Sequence, residues 1–147
     1  MTNVVQVYDY RFPHADYPIL GFRVRISEIA KSLGFEVESW ADELGPTQAM
    51  RLRLPSGRVV ILIELQHSIT HHRAKGPYVH VDAAIIAEFG VQLLIDEVMT
   101  SLGLSDQLVD WRATSEQQQY AIDFMKWWTA YKQEQGNDLM PPATTSN

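Results

Sequence analysis

Met50-Arg-Leu-Arg-Leu-Pro-Ser-Gly-Arg-Val-Val-Ile-Leu-Ile-Glu-Leu65 decides how this chain folds. Apolar and charged residues alternate from Met50 to Leu54, the period of a strand with one buried face. Pro55-Ser-Gly57 has turn chemistry, because proline presets φ and glycine tolerates φ > 0. Arg58 to Leu65 is then an almost unbroken β-branched run, as in a central strand covered on both faces. The stretch therefore predicts an antiparallel hairpin with Ile61 in the core.

Phe35-Glu-Val-Glu-Ser-Trp40 also alternates and predicts a third strand, with Glu36 and Glu38 across from Arg51 and Arg53. Tyr78 to Val81 adds a fourth. Upstream, Phe22, Ile26, Ile29 and Leu33 are spaced as one helix face, ended by Gly34. Alternation in Phe22-Arg-Val-Arg-Ile26 leaves open a strand that leads into a short helix, and a helix is the favoured reading from Ser27 onward. The aromatics between Val4 and Pro18 predict a segment docked on the body.

Downstream, Asp82 is placed to cap a helix from Ala83 to Leu102, with Val91, Ile95, Val98 and Leu102 on one face and Gly103 ending it. Gly90 reads as a position of close helix–sheet packing. A last helix starts near Thr114-Ser115, where Ser115 and Gln118 have capping-box spacing. Its aromatics Tyr120, Phe124, Trp127, Trp128 and Tyr131 predict a core face. Two adjacent tryptophans point about 100° apart, so one of the pair is expected at the edge of that core. The expected fold is α+β, a largely antiparallel sheet of three to four strands with helices packed on one face. One domain over 1–140 accounts for the length, and the polar, proline-containing stretch 141–147 is expected to be a disordered tail.

Composition narrows the function. The 147 residues are 46% hydrophobic, enough for a core without staples. There is no cysteine, which excludes disulfides and thiolate zinc sites. Met1 to Tyr10 lacks the basic and apolar regions of a secretory signal, and no stretch is apolar enough to span a membrane, so a cytoplasmic protein is expected. A net charge of −6 argues against nucleic acid and suits a basic protein partner. Glycine-rich phosphate loops and nucleophile elbows are both missing.

Four of the five histidines, His67, His71, His72 and His80, fall in one stretch that ends at Asp82. His67 and His71 have the spacing of a zincin, but Ser68 stands where its general-base glutamate belongs. His71, His80 and Asp82 remain a candidate metal set. Without metal, His67, His72 or His80 could act as a base while Arg73 and Lys75 hold an anionic substrate, as a small hydrolase or nuclease would need. Gly76-Pro-Tyr-Val-His-Val81 resembles the Gly-Pro-His-x-His pieces of some small bacterial toxin domains, with Tyr78 in place of the first histidine. The plainest reading is a polar connecting loop, with Asp82 as a helix cap and no cofactor.

The leading expectation is a non-enzymatic protein that binds another protein. Ser115-Glu-Gln-Gln-Gln-Tyr-Ala-Ile-Asp-Phe124, in a small, acidic, cysteine-free chain, resembles the closing helix of several bacterial immunity proteins. That resemblance implies a compact α+β inhibitor of a protein target and carries over no site residue. From their places near loops and helix ends, Asp42, Glu43, Asp106 and Asp110 are the expected acidic contacts, with Trp111 as the aromatic anchor.

Overall fold

The structure, a computed structural model, describes residues 3–42, 45–65 and 76–139. Among the described residues, seven strands form one antiparallel sheet: β1 (Val5–Val7), β2 (Asp16–Phe22), β3 (Glu38–Asp42), β4 (Gly45–Arg53), β5 (Val59–Leu65), β6 (Tyr78–Asp82) and β7 (Val109–Arg112). The described residues also form four α-helices: α1 (Ile26–Leu33), α2 (Ala83–Phe89), α3 (Val91–Leu102) and α4 (Ser115–Leu139). The order across the sheet is β1-β4-β5-β6-β2-β7, and β3 also pairs with β4. The class is α+β, with more strands than the three to four expected.

The hairpin forms where the sequence places it. β4 and β5 pair in register from Thr47↔Leu65 to Arg53↔Val59, and Gly57 closes the turn at φ 96°. β5 is central, between β4 and β6. Its Val60 and Leu62 join the main core with Met50, Leu52, Val79 and Val81, while Ile61 is buried on the opposite face. α1 contributes Ile26 and Ile29 to that core, and α3 contributes Leu94, Ile95 and Val98.

The added strands are short or irregular: β7 alternates over only four residues. β1 is only three residues long. β2 contains Pro18 and a register shift between Pro18 and Leu20, which leaves Ile19 as an extra residue. A bulge of this kind breaks the period of two that a sequence reading depends on. β7 ends with Arg112 opposite Leu20, so Pro18 occupies a stretch of β2 that is a sheet edge, where a missing N–H is tolerated. Phe22 ends β2 and does not start the helix face.

Buried Glu64 of β5 replaces a local cap for α1. Its Oε1 accepts from Ile26 N at 2.8 Å, and Arg25 pairs with its other oxygen. A carboxylate at this position also complements the helix dipole. Of the expected cross-strand pairs, Glu38 meets Arg51. Glu36 instead exchanges backbone hydrogen bonds with the side chain of Gln6 on β1.

The helix expected from Ala83 to Leu102 is two helices. Gly90, at φ 84° and ψ 152°, lies in a region essentially confined to glycine and interrupts it. Val91 N donates to Gln118 Oε1 of α4 at 2.9 Å, so α4 supplies the cap of α3. A Cβ at Gly90 would lie 3.0 Å from that same oxygen. Gln118 is thus committed to α3, and the capping box of α4 is one residue earlier than expected. Thr114 Oγ1 accepts from Glu116 N, and Gln117 Oε1 accepts from Thr114 N at 2.6 Å.

Candidate functional site

Two arrangements stand out: a crossed pair of histidines and aspartates at one end of the sheet, and the outer face of α4 beside it. β2 and β6 run antiparallel with Asp16 opposite Asp82. Their sequences contain the same triplet, His14-Ala-Asp16 and His80-Val-Asp82. Each histidine meets the other triplet's aspartate. His14 Nδ1 lies 2.9 Å from Asp82 Oδ2, and His80 Nδ1 lies 3.6 Å from Asp16 Oδ2.

Asp82 is the buried centre of this clasp. Its Oδ1 accepts from His14 N at 3.0 Å and Ala15 N at 3.2 Å. Its Oδ2 accepts from Ala84 N at 3.0 Å as the cap of α2. Burial and the charge of Asp82 both push the Tyr10 phenol above its usual pKa, while Arg53 opposes them. One carboxylate thus fixes the connection between β1 and β2 and starts α2. Among the described residues, no group of three or more histidine, aspartate or glutamate side chains is placed to hold a metal ion.

α4 adjoins the clasp. The His14 ring meets the Trp128 ring edge-on at 5.8 Å, and Tyr17 meets Phe124 in the same way at 6.3 Å. Ala121 is fully buried, and Phe124 and Trp128 are half-buried. The other expected core aromatics are outside: Tyr120 is 53% exposed, Trp127 56% and Tyr131 40%. Trp127 and Tyr131 stack on each other, with centroids 5.3 Å apart and planes 15° from parallel. From Thr129 to Glu134 every residue is exposed, so none of the described residues covers this stretch of the helix.

At about 100° per residue, Glu116, Tyr120, Asp123, Tyr131 and Glu134 all project within about 40° of Trp127. All six are exposed. The result is one stripe in which carboxylates and aromatics interleave, while Lys126 and Lys132 project to either side of it. Lys132 is drawn onto the Trp128 ring at 5.2 Å. At the start of the stripe Tyr120 donates to Glu116 at 2.8 Å. That bond raises the Tyr120 pKa above its usual value, helped by the Glu116 charge and by burial. A shallow groove of about 470 Å³ between α2 and α4 has Ile122, Met125, Lys126 and Thr129 in its walls but no histidine or carboxylate.

Asp106 pairs with Arg112 at 3.1 Å, and Asp110 lies 3.5 Å from Arg23. Trp111 is half-buried on β7 against the core and meets the Tyr78 ring at 6.0 Å. Asp42 ends β3, while Glu43 lies outside the described residues. His67, His71, His72, Arg73 and Lys75 also lie outside them, and so does the stretch 141–147. The sequence reading passed over His14, although the repeated His-x-Asp triplet was the signal that would have paired it with Asp82. Compared with protein-family models, curated proteins and solved structures, the chain matches none of them.

Proposed function

We propose that this chain is a protein-binding module of the inhibitor or immunity-protein kind, acting in the cytoplasm on a partner with a basic surface. The observation that carries the reading is the exposed Trp127–Tyr131 stack on the outer side of α4. Tryptophan and tyrosine dominate binding energetics because they bury large areas with few torsions to freeze. The basic partner follows from the stripe's own carboxylates and from the net charge of −6. Asp106 and Asp110 have arginine neighbours on this chain, whereas Glu116, Asp123 and Glu134 offer carboxylates beside the aromatic stack itself.

Photo-crosslinking in the native cell tests this. A benzophenone amino acid at position 127 should give one discrete protein adduct. The same group at exposed Lys31 on α1 should not. Excess wild-type protein should suppress the adduct, and a Trp127→Ala/Tyr131→Ala protein should not. Equal suppression by the double variant would remove α4 as the contact element.

A further inference from the structure

We infer that the α4 stripe receives an arginine of the partner, its guanidinium lying on the Trp127–Tyr131 aromatics and paired with Asp123 or Glu134. This rests on the protein-binding reading and specifies the group that is recognised.

The chain builds the same couple twice for its own arginines. Arg58 lies over the Phe89 ring at 3.9 Å while its Nη1 bonds Glu97 at 2.8 Å. Arg51 lies 5.9 Å from the Trp40 ring and pairs with Glu38, two residues along the same strand. In both cases an aromatic face and a carboxylate hold one guanidinium. A planar cation satisfies both at once, stacking on the ring while its edge donates to the oxygens.

Asp123, Trp127, Tyr131 and Glu134 repeat that combination on α4, on a face that is wholly exposed. Among the described residues, no lysine or arginine lies over the Trp127 or Tyr131 ring, and no ion pair involves Glu116, Asp123 or Glu134. Asp123 accepts from Gln119, which leaves its charge uncompensated. A lysine ammonium is a more strongly hydrated point charge that cannot stack, so arginine should be preferred over lysine.

The test titrates the full chain with tetra-arginine and tetra-lysine peptides at matched ionic strength, following the Trp127 indole N–H by NMR. Tetra-arginine should bind at least about threefold tighter than tetra-lysine, the margin stacking gives at an exposed site. Trp127→Ala protein, followed at the amides of Asp123 and Tyr131, should lose that preference while keeping most of the tetra-lysine affinity. Asp123→Asn/Glu134→Gln should weaken both peptides by about threefold or more. Equal affinity for the two peptides, or a preference that survives Trp127→Ala, overturns the inference. The crosslinking result separates the two claims: a specific adduct at position 127 with no arginine preference leaves protein binding intact and removes the arginine.

Discussion

Replacing Asp82 by alanine should be among the most damaging single changes in this protein. Its carboxylate is buried and accepts four hydrogen bonds, from Ala84 N, His14 N, Ala15 N and His14 Nδ1. Loss of the α2 cap costs about 1 kcal/mol. The two amides at His14 and Ala15 each cost about 1–3 kcal/mol if they are left dry. The His14 side chain is 25% exposed, so water can replace part of what is lost. The expected total is about 3–5 kcal/mol, against a typical domain stability of about 5–15 kcal/mol. Asp82→Asn keeps one acceptor and remains a good helix cap, so it should cost roughly half as much. Urea unfolding at fixed m gives the free energies. Hydrogen exchange at Ala83, whose amide donates to Ala15 O at 2.8 Å, reports whether the connection between β1 and β2 has come loose. An Asp82→Ala loss below about 1 kcal/mol, or unchanged exchange at Ala83, would refute the clasp.

Two further outcomes follow from individual contacts. Gln118→Ala should cost about 1 kcal/mol by uncapping α3, whereas Gln118→Glu should keep the acceptor and the stability; equal losses in urea midpoint would contradict the cap at Val91. Tyr120 should ionise above the usual tyrosine range, and Glu116→Gln should move its phenolate absorbance titration back down; because the fold favours the protonated phenol, this contribution is present below the unfolded pKa and is lost as pH rises through the raised one.

The parts of the fold set by uninterrupted local periodicity were legible. The β4–β5 hairpin, β6, α1 from Ile26 with Gly34 at its end, and the Asp82 cap follow from alternation, helical spacing and turn chemistry. What escaped depends on distant partners. β2 forms despite Pro18 because a bulge, and a β7 that ends opposite Leu20, accommodate it. The break at Gly90 is fixed by Gln118, 28 positions away in sequence. The clasp needed the register of β2 against β6, which sets Asp16 opposite Asp82, before its two His-x-Asp triplets had any meaning together.

The outward stripe of α4 shows why aromatics at helical spacing do not by themselves mark a core. Phe124 and Trp128 do face the body, beside Ala121. Tyr120, Trp127 and Tyr131 share their direction with Glu116, Asp123 and Glu134. Turning that side inward would bury three carboxylates along with the three aromatics. Each buried carboxylate would need a cationic or hydrogen-bonding partner to offset its lost hydration. Lys126 and Lys132 project elsewhere, and the described ion pairs commit their arginines to other carboxylates. Solvent exposure of this face is therefore the cheaper arrangement for the chain alone. A partner that brings its own cations reverses the balance, because it supplies the missing charges and covers the aromatics in one step. On the protein-binding reading proposed above, the composition that keeps the face out of the core also favours a basic surface as its complement.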